Sequence, residues 1–538
     1  MKSILAASFI LFASLSNAQH NLPHVKRENS TTQLIVDGKP FIVLGGELGN
    51  SSASDLKYMT AIWPKLVAMN LNTVLIPVYW ELIEAEEGKF DFSLVDRFIL
   101  DARKNNLKII FLWFGAWKNS MSCYAPAWIK TNQERFPRAR DKNGQSQEIL
   151  SPFSNNNLQA DMKAFTRLMQ HIKDFDGQEQ SVIMIQVENE IGMLPDARDH
   201  HPDATRAFHQ AVPEKLIHYM KANRDILRPE LKELWISHGE KDEGTWEEVF
   251  GSSLATDEIF IAWNYSAFVN QLIEAGKAIY PLPMFVNAAL NRPDVKPGNY
   301  PSGGPLPHLM DIWKAGGPSI DFLSPDFYFP DIKHWCDLYT SQNDPLFIPE
   351  HRFDETVASK AIFVTGHYNC LGFSPFSIES SSQPENEPLG KAYRVLSQLG
   401  DMITGYQKEG TVDAVLLDKR NAASIIEMGN YQFTFKHDYT LGWSVHAKDD
   451  EWPLSAALII KTGQNEYFIA GTGVVVTFAV LQPGTKRAGI LQIDEGEMVN
   501  GKWIPGRRMN GDQSHQGRHL RIPVGDCQIQ KLELYVYE

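Results

Sequence analysis

Short apolar runs alternate with helix-like stretches between about residues 33 and 380, and this alternation limits the possible folds more than any other feature. The apolar runs are 41–44, 72–77, 108–112, 181–185, 283–287, 320–324, 346–350 and 361–364. The stretches between them with helical periodicity include 55–69, 94–105, 158–173, 213–226 and 266–279. Strands that are apolar almost throughout indicate a parallel sheet buried on both faces.

Eight strand–helix units of this kind predict an α/β fold, a (β/α)8 TIM barrel. An open doubly wound sheet is the alternative. The first strand is not followed by a helix that opens on a Gly-x-Gly-x-x-Gly motif, which disfavours the dinucleotide-binding form of that alternative.

Polar and aromatic side chains stand at the C-terminal ends of several apolar runs. They are Glu47, Tyr79, Trp80, Glu81, Trp117, Asn189, Glu190, Tyr328 and Glu350. In a barrel these ends converge on one face, where the chemistry of the fold takes place. A structural protein gains little from unpaired carboxylates in such a place. The pattern therefore favours a catalytic barrel.

A second region begins after the barrel pattern ends. Residues 388–406 predict a closing helix, and from about 410 the chain consists of β-rich runs broken by Gly, Asp, Asn and Pro. These runs are 431–436, 455–461, 466–471, 473–480, 487–493 and 529–537. We expect a catalytic barrel with its closing helix at 19–408 and a smaller all-β, sandwich-like domain at 409–538. Structural support, sugar binding and dimer contact all stay open as roles for the second domain.

The N-terminus has the pattern of a signal peptide at residues 1–18. Lys2 supplies the positive charge, residues 4–15 form a short apolar region, and Ser16-Asn17-Ala18 suits signal peptidase. We therefore expect an exported protein, periplasmic or extracellular. No later segment is apolar for the ~18 residues that a membrane helix needs, so no membrane insertion is expected.

Charge and cysteine content exclude some classes of function. Acidic residues number 65 against 51 basic ones, a balance that argues against a nucleic-acid partner. The four cysteines are widely spaced, which disfavours a structural zinc site and leaves open one disulfide of unknown pairing and a homo-oligomer. Aromatic residues make up 11% of the chain, which suits either sugar binding or a large aromatic core.

Two glutamates carry the chemical hypothesis. Glu190 follows the fourth apolar run next to Asn189, and Glu350 ends the seventh run. Two carboxylates at one barrel mouth are the minimum for glycoside hydrolysis. By the period of two, Glu188 shares a face with Glu190 one layer deeper, where we expect a hydrogen bond to a barrel neighbour. No His/Asp/Glu cluster with ligand spacing accompanies the pair, so no metal or organic cofactor is expected.

Five segments taken in order resemble glycoside hydrolase family 35, in its bacterial β-galactosidase branch with an extra C-terminal β domain. They are GGELGNS (45–51), PVYWELIEAEEGKFDF (77–92), LWFGAWKNSMSCYAPAW (112–128), QVENEIG (186–192) and FIPEHR (347–352). The resemblance implies a retaining exo-β-galactosidase with Glu190 as acid/base, Glu350 as nucleophile and Asn189 as the amide beside the acid. Ala85 stands where the family typically has Pro.

The implied mechanism places further requirements on the site. Retention requires carboxyl groups about 5–5.5 Å apart, a raised pKa at Glu190 and an ionised Glu350. Candidate contacts to the galactosyl-containing substrate are Asn189, Glu47, Tyr79, Trp80, Trp117 and Tyr328, with core packing as the alternative for Tyr79 and both tryptophans. Two carboxylates fit equally a β-glucosidase, β-mannanase or arabinosidase of the same barrel clan. A non-catalytic sugar-binding protein is the third alternative.

Overall fold

The computed structural model describes residues 22–28, 31–291, 294–482 and 484–538. The predicted signal peptide, residues 1–18, lies outside these ranges, and export stays a prediction. The described chain begins with a small antiparallel sheet of His24–Glu28, Thr31–Val36 and Lys39–Phe41.

Eight parallel strands form the predicted barrel. They are β1 (Val43–Leu44), β2 (Thr73–Tyr79), β3 (Lys108–Lys118), β4 (Val182–Asn189), β5 (Met284–Ala289), β6 (Phe322–Phe327), β7 (Ile348–His351) and β8 (Gly372–Pro375). Each strand pairs with the next, and β8 pairs with β1. Hydrogen bonds from Leu75 N to Gly46 O (2.9 Å) and from Leu48 N to Leu75 O (3.1 Å) join β2 to the chain that follows β1. The ring is therefore closed, and the C-terminal ends of all eight strands meet on one face.

The eighth apolar run, 361–364, is not a strand. It lies inside the helix Val357–His367, and the eighth strand is the shorter β8. Residues 357–366 are all buried because this helix packs between the barrel and the C-terminal domain. A helix buried on every side has no polar face, so its apolar run cannot be distinguished from a buried strand by pattern.

The remaining helices surround the barrel. The α-helices are Leu56–Thr60, Trp63–Ala68, Trp80–Ile83, Ser93–Lys104, Ala127–Lys130, Asn155–Asp176, Pro202–Phe208, Glu214–Ala222, Pro229–Ser237, Trp246–Phe250, Leu254–Ile279, Met310–Gly316, Ile332–Thr340, Val357–His367 and Pro388–Gln407. A hairpin of Arg138–Arg140 and Ser146–Leu150 follows β3. Within the described ranges, no helix combines the length and apolar character needed to cross a bilayer.

The helix Pro388–Gln407 closes the barrel, as the sequence predicted. Its Tyr393 hydroxyl donates to the carbonyl oxygens of Gly45 (2.9 Å) and Phe373 (2.7 Å). These bonds hold the helix against the seam between β1 and β8, directly before the chain reaches Glu47.

The C-terminal region is a two-sheet sandwich. One sheet has six strands, in the order Val412–Leu417, Ser455–Lys461, Glu466–Thr472, Gln528–Tyr537, Arg487–Val499 and Lys502–Arg508. The other has four, in the order Ala423–Met428, Tyr431–His437, Val474–Val480 and Leu520–Ile522. Apolar side chains from both sheets, including Phe433 and Ile459, form one core between them. The fold class is confirmed.

Candidate active site

Three buried carboxyl groups meet at the barrel mouth. Glu190 directly follows β4, Asp326 lies on β6 and Glu350 lies on β7, and one oxygen of each is within 4.8 Å of the others. Asp326 pairs in register with Glu350 across β6 and β7. The sequence analysis missed Asp326, although it too lies at the C-terminal end of a barrel strand. The three oxygens have the spacing of ligands around one cation, which contradicts the expectation that no such cluster accompanies the two glutamates.

The two oxygens of Glu350 have different environments. The Tyr328 hydroxyl donates to Oε1, while the buried Oε2 has no protein partner. Burial, with the charge of Glu190, raises the pKa of Glu350 to about 7, and Lys118 and the Tyr328 hydrogen bond oppose this rise. Oε2 is therefore the free atom, and it loses its proton more readily because of Lys118 and Tyr328.

Glu190 is held in place by two asparagines. Its backbone N donates to Asn287 Oδ1 (3.0 Å), and Asn119 Nδ2 donates to its carboxylate. Asn287 Nδ2 in turn donates to Asp326 Oδ2 (2.6 Å). Glu190 has φ +46°, a left-handed conformation that is costly for a residue with a side chain and that clusters at functional sites. The surrounding hydrogen bonds stabilise this conformation.

Asp326 is the acid in this group that retains its proton most strongly. Burial and the charges of Glu350 and Glu190 raise its pKa well above the ordinary value, and a hydrogen bond with Glu190 adds to the rise. At neutral pH Asp326 therefore acts as a hydrogen-bond donor next to Glu190.

Asn189 has a fixed amide orientation. Lys118 Nζ, which is buried, donates to Asn189 Oδ1 (2.7 Å), while Asn189 Nδ2 is buried without a protein partner. Because an ammonium can only donate, it must face the amide oxygen. The amide therefore offers its N–H groups to a ligand. Lys118 follows Trp117 directly, and the sequence analysis missed its role because an isolated Lys at a strand end is usually a surface charge.

Glu47 also belongs to the mouth. Both its carboxyl oxygens are buried without protein partners. Burial and the charge of Glu350 raise its pKa well above the ordinary value, and Lys118 lowers it. A protonated Glu47 offers both a donor and an acceptor toward a ligand.

The predicted aromatic wall is wrong for both tryptophans. Trp80 is fully buried, donates to Glu84 Oε2 (2.8 Å) and packs on Trp113 and Trp128. Trp117 is fully buried with its ring edge-on to Tyr265 and Phe268. Both rings fill the layer between barrel and outer helices, because they neighbour site residues in sequence but point the other way.

Tyr79 and Tyr328 differ from the tryptophans. The Tyr79 ring packs against Phe114 and Tyr124, but its buried hydroxyl has no protein partner, so sugar contact stays a prediction. Tyr328 is 36% exposed and touches Glu350. Its place beside the predicted nucleophile fits a role in positioning that carboxylate.

Glu188 does not share the face of Glu190. Its Oε2 accepts from the backbone N of Trp117 (2.9 Å), the predicted kind of bond, but its partner acid is Asp161 on the outer helix Asn155–Asp176. Its φ of +62° breaks the strand alternation on which the facing prediction depended. Gly115 is required here, because a Cβ would lie 2.6 Å from Glu188 Oε1.

Comparison with known proteins covers the barrel and the sandwich separately. Residues 33–233 match the family model "Glycosyl hydrolases family 35", and residues 389–521 match "Domain of unknown function (DUF5597)". A curated relative from Xanthomonas manihotis, named beta-galactosidase, is 27% identical over 205 residues, which are 36% of this chain and 31% of that protein. The chain thus spans about a third of that relative. Glu190 lies within the family match, and Glu350 lies beyond it.

Solved structures with a similar fold include β-galactosidases from Bacillus circulans sp. alkalophilus and Rahnella sp. R3. Each is 13% identical, with TM-scores of 0.45 and 0.46, and the match covers 67% and 68% of this chain and 57% of each of theirs. The catalytic domain of a β-amylase from Paenibacillus polymyxa is 12% identical, with a TM-score of 0.46, over 66% of this chain and 97% of its own.

The motifs quoted from the sequence and the family match agree on the same barrel. By its residues 33–233, followed by a DUF5597 domain, this chain belongs to glycosyl hydrolase family 35.

Proposed function

We propose that this protein is a retaining exo-β-galactosidase that removes terminal galactose from oligosaccharides or polysaccharides. The observation that carries the proposal is the distance of at most 4.8 Å between carboxylate oxygens of Glu190 and Glu350 at the mouth of a family 35 barrel. Inverting enzymes keep their carboxyl groups about 6.5–9.5 Å apart to admit a water, so the closer approach supports retention. The signal-peptide pattern supports a substrate outside the cytoplasm.

In the first step, Glu350 Oε2 attacks the anomeric carbon of galactose. The Tyr328 hydroxyl holds Oε1, which leaves Oε2 free for the attack. Glu190 gives its proton to the departing glycosidic oxygen, and a covalent galactosyl-enzyme forms. Lys118 assists because its charge favours ionised Glu350.

In the second step, Glu190 acts as a base. It takes a proton from water, the water oxygen bonds to the anomeric carbon, and the bond to Glu350 breaks. The galactose is released with its β configuration retained. Because Glu190 and Glu350 are coupled, the pair titrates as a unit, and loss of one proton disfavours loss of the other.

Polar atoms without protein partners surround the position of the sugar. They include Glu47 Oε1 and Oε2, Asn189 Nδ2 and Asp326 Oδ1. Buried polar atoms require hydrogen-bond partners, and the hydroxyls of a pyranose can supply them. Asn189 Nδ2 suits the 2-hydroxyl, whose hydrogen bond strengthens in the transition state.

A panel of nitrophenyl glycosides tests the proposal. We expect turnover of the β-galactoside to exceed that of the β-glucoside, β-mannoside and α-arabinoside, and NMR of the first product to show β-galactose. Faster turnover of another glycoside would replace the substrate, and a first-formed α-anomer would contradict retention.

A further inference from the structure

Two adjoining cavities lead from the barrel mouth to the C-terminal sandwich. The first, of about 250 Å³, begins at Tyr328 and is lined by Phe329, Arg352, Asp354 and Lys360. The second, of about 580 Å³, lies between the helix Val357–His367 and the sandwich. Pro330, Lys360 and Leu454 line both cavities. The cavities therefore form one groove, called here the interdomain groove, that starts beside the phenol bonded to Glu350.

Lys360 lies where the two cavities meet. It is 6% exposed, and its Nζ lies 3.2 Å from His351 Nε2. Within the described ranges, no carboxylate lies within salt-bridge distance of this ammonium. An ammonium has three N–H donors, so Lys360 retains donors for a ligand in the groove.

The sandwich contributes further polar groups to the second cavity. Arg420 and Asn421 line it, both are exposed, and neither side chain has a hydrogen-bonded or ionic partner in the described part of the chain. Phe363 and Leu416 add apolar surface to the same cavity. Planar donor groups beside apolar surface suit a sugar, which has hydroxyls on its rim and C–H groups on its faces.

We propose that the interdomain groove binds the sugar residues on the leaving-group side of a galactose-terminated oligosaccharide. This inference rests on the proposed function, because an enzyme that removes terminal galactose must leave the rest of the chain outside the catalytic cluster. The volumes of the two cavities fit the ~300–1,000 Å³ typical of small-molecule sites. The sandwich is then part of the substrate site, and the groove selects oligosaccharides over small galactosides.

The double substitution Arg420→Ala/Asn421→Ala tests the groove, with Arg487→Ala as a control on an exposed part of the same domain that does not line either cavity. The substrates are nitrophenyl β-galactoside and β-1,4-galactotetraose. We expect the double variant to lower kcat/KM for the tetrasaccharide about 10-fold, the scale of one or two lost hydrogen bonds. Turnover of the nitrophenyl substrate should stay within about twofold. Equal effects on both substrates, or none on either, would overturn the proposal.

A binding measurement separates this inference from the proposed function. Calorimetry with galactotetraose is performed on Glu350→Gln, with and without the double substitution. About 10-fold weaker binding in the combined variant supports the groove even if the wild-type protein fails to hydrolyse nitrophenyl β-galactoside, a failure that would refute only the proposed activity. Equal binding by both proteins, or no binding by either, overturns the groove.

Discussion

Two pairs of buried acids lie close together along β4, and their surroundings differ. At the mouth, Glu190 and Glu350 have neighbours that include polar atoms without protein partners. In the barrel wall, Glu188 and Asp161 are held by donors from β3, the backbone N of Trp117 and the indole Nε1 of Trp113, each at 2.9 Å.

Burial raises pKa values in both pairs, so a raised pKa does not by itself identify a catalytic acid. The pKa of Asp161 rises to about 6 and that of Glu350 to about 7. The difference lies in the free atoms: the wall pair closes on itself and on the strand beside it, whereas the mouth pair keeps Glu350 Oε2 available. The predictions below test whether this difference separates catalysis from structure.

The largest expected effect is that of Glu350→Ala. Loss of the nucleophile should reduce turnover on the order of 10⁴-fold or more. The circular dichroism spectrum should be unchanged. Activity above a tenth of the wild-type value would show that Glu350 is not the nucleophile.

Glu190→Ala should produce a loss that depends on the leaving group. Poor leaving groups need the proton, and we expect losses on the order of 10²–10⁴-fold for them. Aryl galactosides with very acidic leaving groups should still galactosylate the enzyme, and the intermediate should accumulate because its hydrolysis lacks the base. Glu188→Gln is the matched control, with similar small losses for good and poor leaving groups. The reverse pattern would exchange the roles of the two residues.

Lys118→Met should change the pH profile. The Lys118 charge lowers the pKa of Glu350, so its removal should raise that pKa and move the acidic limb of kcat/KM above its expected position near pH 7. The loss of activity should therefore be greater at pH 6 than at pH 8. Lys277→Met, on the outer helix Leu254–Ile279, should leave the profile in place. An unshifted limb in Lys118→Met would refute the electrostatic role.

The wall pair should act on stability. Asp161→Ala leaves the Trp113 indole without its partner and should lower the free energy of unfolding by about 1–3 kcal/mol. Because the pKa values of Glu188 and Asp161 are raised in the folded state, that state binds more protons than the unfolded one between about pH 4 and 6. The stability contributed by the pair therefore falls as pH rises through this window. Denaturant unfolding should show a weaker pH dependence in Asp161→Asn, and an identical slope would contradict the assignment.

The smallest expected effect is that of metal removal. Glu190, Asp326 and Glu350 have the spacing of ligands, but a mechanism with two glutamates needs no cation. EDTA treatment followed by dialysis should change kcat/KM less than twofold. Loss of activity that Mg²⁺ or Zn²⁺ restores would contradict the mechanism and convert the cluster into a metal site.

The sequence predicted what depends on long apolar patterns and on the ends of strands. Seven of the barrel strands, the closing helix and the sandwich follow from periodicity, and Glu190 and Glu350 follow from their positions after apolar runs. The eighth strand did not, because the buried helix Val357–His367 has a stronger apolar run than the four-residue β8.

The site details depend on backbone conformations and side-chain directions that one sequence does not reveal. The left-handed residue Glu188 turned a side chain expected near the mouth toward Asp161. Lys118 and Asn119 follow Trp117 directly, yet they reach the mouth while the indole packs outward. Asn287 and Asp326 lie on strands whose ends carried no glutamate, and only the closed barrel brings them to Glu190.

Azide rescue tests the central claim most directly. Glu350→Ala and Glu190→Ala are each incubated with an aryl β-galactoside of acidic leaving group and sodium azide, and the product anomer is determined by NMR. If Glu350 is the nucleophile and Glu190 the acid/base, the Glu350 variant should form α-galactosyl azide by direct displacement. The Glu190 variant should form β-galactosyl azide from the covalent intermediate. Opposite anomers from the two variants would contradict the assignment.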